Sequence, residues 1–205
     1  MRVLPSGSTA LLFEVDGLEE VLGLYAALVE QPPEGVLDIV PAASTVLVVT
    51  DPASTTLPAV EAAVRSLSPV HGEQRTGDLV EIPVAYDGED LDELAALLGC
   101  DAEEVVGRHT ETEWTVAFCG FAPGFGYLTS AGWPWDVPRR SSPRVKVPPG
   151  SVALAGVFGG VYPRESPGGW QLIGRTDLAV FDIDRDPPAL LRPGTRVRFA
   201  VAGRS

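Results

Sequence analysis

Hydrophobic and polar positions in the first part of the chain follow two periods, which predicts strands and helices in turn. Period-2 runs rich in Val, Leu and Thr indicate strands, and apolar residues three or four apart indicate amphipathic helices. The order of these elements is β-α-β-β-α-β, which is typical of a split βαβ, ferredoxin-like unit. The predicted strands are Thr9–Val15, Val36–Val40, Ser44–Thr50 and Leu79–Tyr86, and the predicted helices are Leu18–Val29 and Leu57–Leu67.

The middle of the chain predicts two short helices that each begin at an aspartate. Asp90 and Asp101 are each followed by a glutamate three residues later, which is the carboxylate form of a capping box. Beyond Glu113 the helical period disappears, and short alternating runs separated by Gly and Pro turns predict a small barrel or closed sheet. Its first strand runs from Trp114 to Phe118. Later strands are predicted at Ser151–Ala155, Trp170–Ile173, Leu178–Ile183 and Thr195–Val201.

A polar stretch at Ser68–Asp78 separates these two patterns and has the composition of a linker. The sequence therefore predicts an α+β protein with two domains. The first is a small ferredoxin-like α/β domain at residues 1–75, and the second is a β-barrel domain at residues 76–205.

Composition and charge narrow the classes of function. The chain has 205 residues, is 45% hydrophobic and carries a formal net charge of −13. Such an acidic protein is a poor candidate for binding nucleic acid, because neutralising phosphates needs a basic face. No run approaches the roughly 18 apolar residues that a membrane span requires, and no signal peptide is apparent before Glu14 and Asp16. Cys100 and Cys119 belong to no cluster with zinc spacing, so we expect a cytoplasmic protein without a bound metal.

One stretch, Phe118–Thr176, departs from this acidic background. Ten of the 15 aromatic residues lie between Trp114 and Trp170, and residues 121–175 hold six Arg or Lys against two acids. Glycine and proline shape the backbone at both ends of the stretch. A cationic, aromatic patch in an acidic protein predicts a binding site for a small anion.

Arg144 and Arg175 are the candidate anion-binding residues, since a guanidinium fork suits a carboxylate or a phosphate. The competing interpretation is that these two, with Arg139 and Arg140, pair with the acidic N-terminal half of the chain. His109 lies near the end of the second short helix. It either caps that helix or acts as a general acid or base at the mouth of the aromatic patch.

Motifs for nucleotide binding and for amidase chemistry are missing from the sequence. It contains no Gly-x4-Gly-Lys-Ser/Thr phosphate loop and no Gly-x-Gly-x-x-Gly that opens a helix after a strand. Lys146 is the single lysine, and Ser141-Ser142 precede it without a glycine-rich segment, which disfavours a Ser–Lys nucleophile. Gly159-Gly160 and Gly168-Gly169 are interpreted as turns.

Three motifs carry a family resemblance. Gly120–Leu128 reads Gly-Phe-Ala-Pro-Gly-Phe-Gly-Tyr-Leu, Pro143–Val152 reads Pro-Arg-Val-Lys-Val-Pro-Pro-Gly-Ser-Val, and Ser166–Thr176 contains Ser-Pro-Gly-Gly-Trp and Ile-Gly-Arg-Thr. They resemble the signatures of the family of 5-oxoprolinase B subunits, whose members include the kinase inhibitor KipI and proteins labelled allophanate hydrolase subunit 1. Asp38–Pro41 and Val105–His109 are also similar to the family, so the resemblance covers nearly the whole chain.

The resemblance implies a cyclophilin-like barrel after the α/β domain, and it implies a partner. Family members work with a homologous second barrel protein, of the type known as the C component of 5-oxoprolinase or as allophanate hydrolase subunit 2. With a third protein, such pairs are implicated in the ATP-dependent opening of 5-oxoproline to glutamate. ATP is therefore expected as a cofactor of the complex, and the chain alone is expected to be inactive. The alternatives are a KipI-like inhibitor of a histidine kinase and an allophanate-hydrolysing amidohydrolase subunit.

These implications assign provisional roles to the candidate residues. Two arginines would clamp anionic oxygens of a small carboxylate or its phosphorylated form, a histidine would move a proton, and aromatic rings would wall the groove. The candidate catalytic residues are His109, Arg144 and Arg175, and the candidate substrate-binding residues are Phe121, Phe125, Lys146 and Trp170.

Overall fold

The computed structural model describes residues 1–67 and 77–203. The chain divides into two compact units, Met1–Arg75 and Thr76–Ser205. Most of the linker predicted at Ser68–Asp78 lies outside the described residues. Among the described helices, none has the length and apolar character needed to cross a membrane.

The first unit is a four-stranded antiparallel sheet with two helices. The strand order is β1-β2-β4-β3, and the apolar faces of the helices pack with the sheet around Phe13, Val46 and Val48, which are fully buried. The elements are β1 (Arg2–Ser6), β2 (Ala10–Glu14), α1 (Leu18–Glu30), β3 (Val36–Pro41), β4 (Thr45–Thr50) and α2 (Leu57–Ser66).

The strand at the β1 edge corrects one prediction about this unit. In a split βαβ unit the edge position beside the first strand is filled by the strand that follows the second helix. Here β1 fills that position by forming a hairpin with β2, with Val3 opposite Phe13. The predicted sixth strand at Leu79–Tyr86 instead joins the sheet of the second unit. Pro5 and exposed positions weaken the strand pattern of β1, which explains why periodicity missed it.

The second unit is built on a seven-stranded sheet in the order β12-β9-β10-β7-β6-β13-β5, with β8 and β11 forming a separate pair. The described helices of this unit, α3 and α4, pack against β12 and β13 respectively. The elements are β5 (Leu79–Val84), α3 (Leu91–Leu98), α4 (Ala102–Glu111), β6 (Glu113–Cys119), β7 (Gly126–Thr129), β8 (Arg144–Val147), β9 (Ser151–Ala155), β10 (Phe158–Val161), β11 (Ser166–Gly168), β12 (Gln171–Arg175) and β13 (Arg196–Val201).

The predicted strand at Leu178–Ile183 is wrong, because only an isolated bridge between Phe181 and Ala189 forms there. The segment opposite it contains Pro187 and Pro188, which lack the amide donors that a ladder needs.

The sheet closes into a barrel at the two strands that end the order, β5 and β12. The Ala85 amide donates to the Arg175 carbonyl at 2.8 Å, and the Arg175 amide donates back at 2.9 Å. The amides of Gly88 and Asp90 then reach the carbonyls of Ile173 and Leu172 at 3.3 and 3.0 Å. Closure satisfies backbone groups that an open sheet would leave exposed along its edges. The predicted α+β class with a small closed barrel is confirmed.

The close approach at the barrel seam requires glycine at position 88. A Cβ at Gly88 would lie 2.2 Å from the Leu172 carbonyl oxygen and 2.3 Å from the Ile173 carbonyl carbon. Both are backbone atoms, so the seam would have to open to accommodate the methyl group.

We therefore predict that Gly88→Ala destabilises the protein by about 1–3 kcal/mol, the usual cost of overpacking. Gly107→Ala is the matched control, since a Cβ there meets no atom within 4 Å. In the interior of α4 that change should stabilise by about 0.5–1 kcal/mol. Urea unfolding of both variants measures this, and equal stability of the two would contradict the predicted role of the seam.

Candidate functional site

The side chain of Asp90 connects three segments of the second unit. It is 1% exposed, and Arg144 donates to both of its oxygens, from Nη1 at 2.9 Å and from Nη2 at 2.7 Å. The Leu172 amide on β12 donates to Oδ2 at 2.7 Å. Arg140 donates to Oδ1 through Nη1. One buried carboxylate thus holds the start of α3, strand β12 and the arginine segment (residues 138–147) together.

This arrangement corrects the predicted capping box at Asp90. Asp90 does precede α3, but its side chain forms no capping hydrogen bond. Its backbone has φ −104° and ψ 0°, whereas a capping residue is usually extended. Asp101 is extended, and its Oδ1 accepts from the Glu104 amide at 2.8 Å, as predicted.

The protonation state of Asp90 follows from its surroundings. Burial by itself raises the pKa of this carboxyl group, but hydrogen bonds from Arg144 and the Leu172 amide, together with the charges of both arginines, bring the pKa below its ordinary value. Asp90 is therefore ionised at neutral pH. Its negative charge keeps the Arg144 guanidinium, which is 16% exposed in its side chain, in place.

The predicted anion-binding cations are paired with nearby acids. Arg144 Nη2 also reaches Glu89 at 3.1 Å, and Arg175 Nε donates to Asp87 at 2.9 Å. Lys146 Nζ lies 3.0 Å from a Glu165 oxygen, with both side chains mostly exposed. The acids that pair with Arg140, Arg144 and Arg175 belong to the acidic segment (Asp87–Asp90), which lies in the N-terminal half of the chain, as the competing interpretation expected, and in the same unit as the arginines. Both terminal nitrogens of Arg144 are therefore already bonded to acids and are not free to bind a ligand.

His109 lies in the interior of the barrel domain. It is 0% exposed, its ring stacks on Phe199 at 4.2 Å, and its Nδ1 shares a 2.8 Å hydrogen bond with the Tyr86 hydroxyl. Burial lowers the pKa of His109 from 6.5 to about 3, so the imidazole is neutral. The residue does lie in the last turn of α4, but the structure does not bring it to the arginines or to a surface groove. A neutral, enclosed ring is poorly placed for proton transfer to a ligand.

The predicted aromatic wall is assembled, with Phe125 at its centre. The Phe125 ring makes edge contacts with Phe121, Tyr162 and Trp170 at 5.3, 5.3 and 5.4 Å between centroids. Tyr127 completes this aromatic cluster at 5.1 Å from Phe125. Phe125 and Trp170 are buried and support the cluster from below, whereas Phe121 is 55% exposed.

Glycines in β10 and β11 make room for these rings, which corrects their interpretation as turns. A Cβ at Gly160 would lie 2.9 Å from the Phe125 ring, and one at Gly168 would lie 2.2 Å from the Tyr162 hydroxyl. Sequence reasoning missed Tyr127 and Tyr162 as members of the cluster. Their positions could have identified them, because Tyr127 lies within the Gly120–Leu128 motif and Tyr162 lies shortly before the Ser166–Thr176 motif.

Comparison with known proteins identifies the family. A family model described as "Carboxyltransferase domain, subdomain C and D" matches residues 1–191. A protein of Escherichia coli O157:H7, named as the B subunit of 5-oxoprolinase, is 39% identical over 203 residues, which make up 94% of this chain and 92% of that protein. This chain belongs to the family of 5-oxoprolinase B subunits. A relative of the same name in Bacillus subtilis is 50% identical over 124 residues, which cover 59% of this chain and 52% of that protein.

Solved structures agree with the family assignment. A crystal structure of TTHA0988 has a TM-score of 0.77 at 37% identity and covers 96% of this chain, which spans 40% of that chain. The conserved protein PH0987 from Pyrococcus horikoshii has a TM-score of 0.59 at 35% identity, covering 99% of this chain and 98% of that one. Kluyveromyces lactis urea carboxylase has a TM-score of 0.77 at 18% identity, covering 99% of this chain and 23% of that one, and shows the fold alone. The predicted cyclophilin-like fold is confirmed.

The Asp90 network generates a prediction about stability. Asp90→Asn leaves two partly buried arginines without their counter-charge, and breaking a buried pair in this way costs about 3 kcal/mol or more. Glu89→Gln is the matched control, because Glu89 contacts the same Arg144 but its side chain is 78% exposed. We expect that change to cost less than about 1 kcal/mol. Chemical denaturation of both variants gives the comparison, and similar losses would show that the buried position of Asp90 is unimportant.

The buried His109 predicts a stability loss in mild acid. The folded state keeps the ring neutral down to about pH 3, whereas the unfolded chain protonates it near its ordinary pKa of 6.5. The contribution of His109 to the unfolding free energy should therefore be constant above pH 7 and fall by up to about 1.4 kcal/mol per pH unit below 6.5. His109→Gln should remove this slope between pH 6.5 and 4.5, a window that lies above the titration of Asp90. An unchanged slope in the variant would contradict the neutral, buried state.

Proposed function

We propose that this chain is one component of an ATP-dependent 5-oxoprolinase complex that opens 5-oxoproline to glutamate together with a homologous second barrel protein. The observation that carries the proposal is the near full-length match to the E. coli relative named as the B subunit of 5-oxoprolinase. A fold resemblance to urea carboxylase at 18% identity adds nothing about the substrate.

The chemistry sets what the complex must do. Water has to add to the lactam carbonyl and the C–N bond has to break, and amide resonance opposes both. When bound to the complex, ATP would supply the activation: transfer of its terminal phosphoryl group to the amide oxygen, with release of ADP, would make the carbonyl easier for water to attack, and the phosphate would leave as the ring opens. The protein then has to hold the substrate carboxylate, neutralise the developing charge and keep bulk water away.

The three arginines that pair with Asp87 and Asp90 are poorly placed to hold a triphosphate. A triphosphate needs several free cations or a row of backbone amides. Arg140 and Arg144 are already committed to Asp90, and Arg175 is paired with Asp87. We therefore assign ATP to the assembled complex rather than to these arginines.

Lys146 and Cys119, two side chains that could take part in nucleophilic catalysis, are also poorly placed for amide hydrolysis. Lys146 is paired with Glu165 at the surface rather than with a serine. Burial raises the pKa of the Cys119 thiol to about 11, and its Sγ donates to the Leu191 carbonyl at 3.3 Å. These placements favour a shared mechanism over an independent amidohydrolase.

A longer relative is compatible with the requirement for a partner. In TTHA0988 the matched region spans 40% of the chain, so that protein joins such a region to further sequence. Exposed apolar side chains on the barrel domain, such as Val145 at 84% exposure, are compatible with a surface that a partner covers.

The test is reconstitution from purified proteins. The chain alone, with ATP and 5-oxoproline, should release no glutamate above background. Adding the homologous barrel protein and the third protein should produce glutamate and ADP in equal amounts. Full ATP-dependent cleavage by this chain alone would contradict the proposal, and so would a fully assembled complex that leaves 5-oxoproline intact while hydrolysing allophanate.

A further inference from the structure

Arg139 is the cation of the arginine segment that the acids leave unpaired. Its neighbours Arg140 and Arg144 bind Asp90, and Lys146 binds Glu165. Arg139 itself is exposed, and it has no carboxylate partner within the parts of the chain that are described. The unpaired Arg139 guanidinium, next to three cations that are neutralised by acids, is therefore the group of this segment that can donate hydrogen bonds to the anion of a ligand.

The Tyr162 side chain brings an unused hydrogen-bonding group to the same place. It is 2% exposed, yet its hydroxyl has no hydrogen-bond partner among residues 1–67 and 77–203. Burial raises the pKa of this phenol, and the positive charge of Arg139 opposes the rise. The backbone places the two residues near each other: the amide of Arg140, the next residue after Arg139, donates to the Gly169 carbonyl at 2.9 Å, and the neighbouring Gly168 lies directly against the Tyr162 hydroxyl. The same opposing effect of Arg139 acts on the pKa of Tyr127. The fully enclosed, unpaired side-chain atoms in the described part of the chain do not include this hydroxyl, so it reaches the surface and is open to a hydrogen bond from outside.

The backbone at Phe121 points to the same location. Phe121 has φ +66°, the one positive φ outside glycine among the described residues. An aromatic residue in this conformation is strained, and such strain persists mainly where the surrounding structure enforces it for function. The strained backbone leaves the ring 55% exposed, at 6.1 Å from the Tyr162 ring.

We propose that Arg139 and the Tyr162 hydroxyl bind the carboxylate of a small lactam acid, whose ring lies against the exposed face of Phe121. The inference deepens the proposed function and rests on it. A carboxylate accepts from a guanidinium and from a hydroxyl at once, and a flat ring with methylene groups suits an aromatic surface. The anion-binding role predicted for Arg144 is thereby moved to Arg139, while Asp90 and Arg144 hold the segment that carries it.

The experiment compares two ligands that differ by the carboxylate alone. 5-Oxoproline and 2-pyrrolidinone are titrated into the assembled complex by calorimetry, with wild type, Arg139→Ala, Tyr162→Phe and Arg108→Ala in this chain. Arg108→Ala is the matched control, because it removes one exposed positive charge from α4 of the same unit.

Arg139→Ala should weaken 5-oxoproline binding by about ten- to a hundredfold, and Tyr162→Phe by about three- to tenfold. Neither change should alter the weaker binding of 2-pyrrolidinone by more than about twofold, and Arg108→Ala should behave as wild type. Unchanged 5-oxoproline affinity in Arg139→Ala and Tyr162→Phe would overturn this assignment and leave the proposed function standing. Equal weakening of both ligands would also overturn it. A wild-type complex that neither binds nor cleaves 5-oxoproline would overturn the proposed function itself.

Discussion

A carboxylate that is removed from water must be neutralised where it lies, and Asp90 meets this constraint by drawing two arginines and a backbone amide onto its oxygens. The partners come from β12 and from residues 138–147. The ion cluster therefore fixes the path of the arginine segment, in which only Arg144–Val147 forms a strand. The barrel seam beside it depends on the same residues, since the Asp90 amide is itself bonded to Leu172.

The pairing of neighbouring arginines with acids distinguishes Arg139, which has no carboxylate partner among the described residues. A cluster of arginines near one another repels itself, and the acidic segment removes that repulsion at Arg140, Arg144 and Arg175. The surface then presents Arg139 beside a phenol and a strained, exposed phenylalanine. The buried Phe125 ring below contacts the rings of Phe121 and Tyr162 and supports both of them. Rigid support of a small polar site is the arrangement that binding a small substrate requires.

Local patterns predicted the parts of this structure that depend on neighbours in sequence. The alternation from Trp114 to Phe118 predicted β6, and Asp101 capped α4 as its spacing indicated. The Asp90–Arg144 contact joins residues 54 positions apart, and no local signal distinguishes Asp90 from Asp101. The resemblance located the right motifs, but it could not show which arginine is paired and which is free, since that depends on tertiary contacts.

The coupling between Asp90 and Arg144 is the central claim, and a double-mutant cycle on the unfolding free energy measures it directly. Asp90→Asn, Arg144→Gln and the double variant are compared with wild type by urea denaturation. Contacting charges in a buried, bidentate pair should give an interaction free energy of about 2 kcal/mol or more, with the double variant less damaged than the sum of the single ones. Strictly additive losses, with an interaction energy near zero, would show that the pair does not hold the arginine segment in place.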